Sequence, residues 1–444
     1  MGKTGNSAFG LVVCLVFALG ATAQNAPAGK YNGPGGCASS SCHGSIQPKQ
    51  ITQVSQNEYS IWAEQDKHAR AYRVLSSPVS LRIGKILQLG QPDQAPKCLA
   101  CHALSVPPEQ RAATFELDDG VSCESCHGPA SGWLGPHTTR DWPHEKSVQL
   151  GMYDTRDLIK RSERCLSCHL GTPEKFVDHE MIAAGHPDLT FELNLFSAVM
   201  PRHWKEPADQ AWHGVQVWSV GEAVQLQQGL ERLSRRANSS TWPEYAELDC
   251  FACHHSLTKP EDSWRQELGY SGRKAGVPAW NSARYVVFRH VVKKVNPEAA
   301  AQLDSDISKL AGLLGQPNGS PQEIATTAAR AAATARGIAQ QLNTRAYDQP
   351  FTLALMRAIA QDGDAISAQG QRAAEQAAMS LDSLFVAYQQ HAKDLDESEI
   401  RAAINGLFQQ LDNPSAYNAP RFAAQMQKVG ALLGVSTRAD KAIH

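Results

Sequence analysis

After residue 296 the chain contains neither cysteine nor tryptophan, although eleven cysteines and nine tryptophans precede it. Any chemistry that the cysteines serve is therefore confined to the first two thirds. Charge of one sign is not in excess either: 42 lysines and arginines stand against 44 aspartates and glutamates, a net −2. That balance leaves no basic footprint for nucleic acid. Aromatic residues are few, at 7%. Long apolar runs are missing as well. Residues 9–20 form the most apolar stretch, broken only by glycine, and it is well short of the roughly 20 residues that span a bilayer.

That stretch has another reading. Lys3 precedes it, and Ala21, Thr22 and Ala23 come after it as a small-x-small cleavage site, the pattern of a secretory signal peptide over residues 1–23. Cys14 lies inside the leader and leaves with it, without the small residues before it that a lipoprotein signal carries. The mature chain is expected to be exported, into a periplasm or beyond, with no transmembrane segment. Glycine and proline cluster between residues 31 and 280, whereas alanine dominates from Pro297 on. The expected organisation is a loop-rich domain over 24–295 and an alanine-rich helical domain over 296–444.

Ten cysteines remain, an even number for which an exported chain ordinarily implies disulfides. The residue after each pair argues otherwise. Cys98 and Cys101 precede His102, Cys123 and Cys126 precede His127, Cys165 and Cys168 precede His169, and Cys250 and Cys253 precede His254. CxxCH is the haem c attachment motif: two thiols add to the vinyl groups of one porphyrin, and the adjacent histidine becomes an axial iron ligand. A zinc ribbon needs sets of four ligands and has no use for a histidine after every second cysteine. A thioredoxin-like pair occurs once. Cys37-Ala-Ser-Ser-Ser-Cys42-His43 has four intervening residues but keeps the trailing histidine. It reads as a fifth attachment site with a looser loop, against a disulfide beside an incidental histidine.

The second axial ligand separates an electron carrier from an enzyme. Eleven further histidines are available, enough for every haem to take two. His68 lies in a short helical segment, and His137 comes after a glycine-rich stretch that lets backbone approach a porphyrin. His179 and His186, seven residues apart, can serve two neighbouring haems. For the fifth place His203, His213, His255 and His290 compete, and His203 is chosen; His144 reads as a loop residue.

The segments Gly120-Val-Ser-Cys-Glu-Ser-Cys-His-Gly-Pro129, Asp178-His-Glu-Met-Ile-Ala-Ala-Gly-His-Pro187 and Cys250-Phe-Ala-Cys-His-His-Ser-Leu257 resemble those of multihaem cytochromes related to cytochrome c554. The likeness covers about residues 30 to 290. It implies a mainly α fold with extensive loops wrapped round closely packed, mostly bis-histidine haems, in a periplasmic electron-transfer protein. Two departures stand out: the first motif is CxxxxCH where the family has CxxCH, and the alanine-rich tail has no counterpart.

Five haems over about 260 residues leave some fifty residues each, too few for separate cores, so the cofactors themselves must fill space. The tail reads as a haem-free helical bundle. Asn296-Pro297 is a cap with proline at the first helical position, and Ser320-Pro-Gln-Glu323 is a capping box. Leu381, Leu384, Phe385 and Tyr388 form an amphipathic stripe, and Asp396 to Glu399 marks another helix start. His391 continues the stripe as a satisfied core histidine. The expected function is electron transfer between redox partner proteins. Its rivals are an oxidoreductase acting on a small nitrogen or sulfur compound at one five-coordinate haem, and a subunit of a polymeric haem conduit; oligomers are compatible with each.

Overall fold

The computed structural model describes Gly2 and residues 29–50, 54–206, 210–250, 254, 280–316 and 319–434. Most of the leader, Cys253, His255 and His444 lie outside these residues. The described chain is mainly helical, and its only extended pairings are isolated bridges between Tyr31 and Arg111 and between Leu248 and Trp280.

Proline and glycine cut the first part into short helices: α1 (Glu58–Gln65), α2 (Pro78–Ile86), α3 (Pro96–His102), α4 (Cys123–His127) and α5 (His144–Gln149). Pro78 and Pro96 stand in the first turns of α2 and α3, where proline's missing N–H is not needed. Gly128 ends α4 at φ 76°, and a Cβ there would meet the Gly151 carbonyl oxygen at 3.1 Å. Both its conformation and its close contact call for glycine. Over residues 29–157 the apolar core is small: Leu75, Ala95, Cys98, Leu99 and Ala103 form its one buried cluster among the described residues.

The next elements are α6 (Leu158–His169), α7 (His179–Ala184), α8 (Leu193–Val199), α9 (His213–Ala237), α10 (Ala283–Val286) and α11 (Phe288–Val295). They lead into α12 (Pro297–Leu314), α13 (Pro321–Thr344), α14 (Gln349–Gln361), α15 (Gly363–Ser367), α16 (Gln371–Gln389), α17 (Glu397–Gln409) and α18 (Ala419–Leu432). The caps read from the sequence hold three of these starts: Asn296 accepts from the Ala299 N–H, Ser320 from Glu323 and Asp396 from Glu399. Leu381, Leu384, Phe385 and Tyr388 are buried on α16.

At the centre is α9, buried along most of its length and packed against α6, α8, α10, α11, α13 and α16. A helix buried on nearly every side has no solvent face to keep, and its polar residues Glu222, Gln225 and Gln227 are buried with it. Small residues permit the close approach. Ala325, Ala328, Ala332, Ala335 and Ala339 are buried on α13, and a Cβ at Gly221 of α9 would meet that of Leu193 at 2.7 Å. One apolar cluster runs from Leu158 to Leu433. Residue 295, the expected boundary, ends α11 inside that cluster, so α6 and α8 to α11 share a core with the alanine-rich tail.

Candidate haem-binding site

CxxCH suits a helical turn, because residues i, i+3 and i+4 share one face. Three motifs are built this way, with the histidine as the last helical residue: α3 ends at His102, α4 at His127 and α6 at His169. In the Cys250 motif, the His254 N–H donates to the Cys250 carbonyl at 2.8 Å, the same one-turn closure. The longer first motif closes similarly. Its two additional residues bulge out, and the His43 N–H donates to the Cys37 carbonyl at 3.2 Å.

The motifs lie beside one another. Cys37 and Cys123 are joined by a thiol hydrogen bond, and so are Cys101 and Cys168. Glu124, 2% exposed, fixes the first contact by accepting from the Asn32, Gly33 and Ala130 N–H groups at 2.7–3.0 Å. Burial nonetheless raises its carboxyl. Lys175 fixes the second, donating from Nζ to the Ala100 carbonyl and to Cys168 Sγ. Cys126 and Cys165 are near enough for the charge of one to bear on the other. All the described cysteines are free thiols.

Each of four motif histidines faces a second histidine at nearly one spacing. Ring centroids are 6.2 Å apart for His43 and His137, 6.1 Å for His169 and His68, 6.4 Å for His102 and His186, and 6.2 Å for His254 and His179. Two imidazoles whose nitrogens sit ~2 Å from one metal on opposite sides place their ring centres about 6.3 Å apart. The spacing therefore fits a shared iron. The inter-ring angles fall into two groups, 4° and 29° against 90° and 79° for the same pairs taken as 43/137, 179/254, 68/169 and 102/186.

Ring-nitrogen use separates these histidines from the rest. Nδ1 of His43 meets Glu58, that of His68 meets Asp66, and those of His102, His137, His186 and His203 meet the carbonyls of Ala71, Leu134, Pro187 and Pro201. None of the ten candidates uses Nε2 in a hydrogen bond among the described residues. The four other described histidines do: Nε2 of His144 meets Asp154, that of His213 meets Glu206, that of His290 meets Asp362, and that of His391 accepts from the Trp212 N–H. A hydrogen bond at Nδ1 that leaves Nε2 free is how proteins orient an imidazole toward a metal. Burial pushes His169 down to about 4; burial, then the charges of His203, His43, His144 and Arg164, does the same to His127. Both are held as neutral imidazole, the form that binds iron.

His127 differs from the other four motif histidines in having no ring partner among the described residues. His203 is the first charge to act on it after burial, and the His203 ring lies 5.1 Å from Trp204. Sequence reasoning placed His68 in a helix; α1 stops at Gln65, and His68 sits in a 3-10 turn, Lys67–Arg70, capped by Asp66. His391 is exposed but satisfied. The carboxylates behind His43 and His68 were not foreseen, although Glu58 and Asp66 are near in sequence.

Helical CxxCH turns, neutral buried imidazoles and paired rings with free Nε2 atoms define a c-type cytochrome. Residues 37–128, from the first motif cysteine to the glycine after His127, match the family described as cytochrome c554 and c-prime. That match, over about a fifth of the chain, supports a relationship to the c-type cytochromes, and with it haem c binding and a part in electron transfer. No curated protein and no solved structure matches it, and no helix among the described residues is long and apolar enough to cross a membrane.

Proposed function

We propose that the chain carries five haems, each held by two thioether bonds and two histidines, and conducts electrons between redox partner proteins after export to the periplasm. The observation that carries this reading is the set of four histidine pairs spaced 6.1–6.4 Å with Nε2 unengaged. Bound haem supplies one-electron exchange between ferric and ferrous iron. The pairs are His43 with His137, His102 with His186, His169 with His68 and His254 with His179; His203 is assigned to His127. The match beginning at Cys37 and the Cys37–His43 closure support attachment at the first motif.

Contacts between motifs support a continuous series. Cys37 adjoins Cys123, Cys168 adjoins Cys101, and Cys126 lies within electrostatic reach of Cys165. His179, at the start of α7, and His186, just beyond its end, tie the second and last sites together. The order read from these contacts is first, third, fourth, second, fifth. Glu244 anchors the far end, accepting from the His179 N–H at 3.0 Å and from Arg236 at 2.8 Å. Mass spectrometry of the mature chain tests the assignment: five haem masses are expected, and one fewer in Cys37→Ser/Cys42→Ser. Four in the native chain would remove the first site.

A second reading rests on His127. Without a ring partner in stacking range, and with Arg164 and His144 acting on it, this is the position where an open iron would take a small anion. Cyanide or nitrite binding to one haem of the oxidised protein would favour it.

A further inference from the structure

We infer that Glu58 and Asp66 are positioning residues that lower the reduction potentials of two of the five sites, those of His43/His137 and His169/His68. The inference rests on the proposed axial pairing. Among the six candidate ligands whose Nδ1 has a described acceptor, only His43 and His68 meet a carboxylate; the others meet backbone carbonyls.

Both carboxylates are built into place. Glu58 Oε1 accepts from the Ser55 and Gln56 N–H groups at 2.8 and 3.2 Å, which aims Oε2 at His43 Nδ1, 2.8 Å away. Asp66 is 4% exposed, and its Oδ1 accepts from both the backbone N–H and Nδ1 of His68, each at 3.0 Å. A carboxylate accepting from Nδ1–H draws that proton toward itself and makes Nε2 a stronger donor. The stronger donor and the nearby negative charge both favour ferric over ferrous iron. A carbonyl does this more weakly, because it carries no charge. The two sites are first and third in the proposed series, so low and higher potentials alternate along its first four members.

The same two sites are distinguishable by spectroscopy. The rings of His43 and His137 are 4° from parallel planes, whereas those of His68 and His169 are at 90°. Parallel axial rings give an ordinary rhombic low-spin ferric resonance, and perpendicular rings give a highly anisotropic one. Redox titration monitored by electron paramagnetic resonance therefore reads each class separately.

The test compares the haem-loaded native chain with Glu58→Gln and Asp66→Asn, which retain an oxygen for the backbone donors. Glu58→Gln should raise the ferrous-to-ferric ratio of a rhombic haem about tenfold at fixed poise, equivalent to ~59 mV, and leave the anisotropic class unmoved. Asp66→Asn should do the converse. Unchanged ratios at full haem content would overturn the inference and leave the carboxylates as backbone caps. The two sites are independent, so misfolding of one variant leaves the other to decide. Failure of the pairing itself would look different: His137→Ala and His68→Ala would then leave every low-spin signal intact.

Discussion

At the residue scale, a histidine's role is set by which ring nitrogen the protein occupies. His137 and His144 are seven residues apart, yet His137 spends Nδ1 on the Leu134 carbonyl and His144 spends Nε2 on Asp154. His137→Ala should therefore convert one haem to a high-spin, cyanide-binding form, whereas His144→Ala should leave the visible spectrum unchanged. Absorption spectra of the two variants decide this; equal effects would contradict the assignment. The motif histidines can be proposed from sequence because attachment is local, spanning five residues, or seven in the first motif. His144 and His391 were set aside from the sequence, but His213 and His290 were left competing, since their carboxylate partners become neighbours only on folding. For His290 that partner is Asp362, far along the chain at the end of α14.

At the element scale, the sequence announces helices that have a stripe and a cap, and hides those that have neither. The starts of α12, α13 and α17 were written in Asn296, Ser320 and Asp396. The long α9 was not, because a helix buried on every side has no polar face to set a period, and its buried Glu222, Gln225 and Gln227 interrupt the apolar run. Beside it, Glu192 caps α8 by accepting from the Asn194 and Leu195 N–H groups. Burial outweighs those bonds and raises its carboxyl from the ordinary 4.5 to about 7. The folded state thus binds this proton more tightly than the unfolded one, and stability falls as pH rises from about 4.5 to 7, then levels. The loss is about 3 kcal/mol. Glu192→Gln keeps an oxygen for the cap and removes the ionisation. Thermal unfolding should show a smaller difference between pH 5 and pH 8 in the variant; an undiminished difference would place the pH dependence elsewhere.

At the scale of the whole molecule, the two ends are stabilised by different means. Among the described residues, a large apolar core is drawn from between Leu158 and Leu433, whereas 29–157 own one cluster of five residues. So small a core does not balance the entropy of ordering about 130 residues, and haem attachment should supply the difference. Full-length chain made without haem attachment should keep helical circular dichroism from the later part and be cleaved by protease within 29–157. Protection of that stretch would show that it folds unaided. This division also explains why a boundary near residue 295 suggested itself: cysteine and tryptophan stop there, but α6, which carries Cys165, Cys168 and His169, packs against α13 across it.

The central claim is that every iron has two histidines. Electron paramagnetic resonance of the oxidised protein at low temperature, with haem quantified per chain, tests it most directly. Five low-spin ferric haems, divided between rhombic and highly anisotropic signals, are the expected result. A high-spin ferric signal amounting to one haem in a five-haem protein would contradict it.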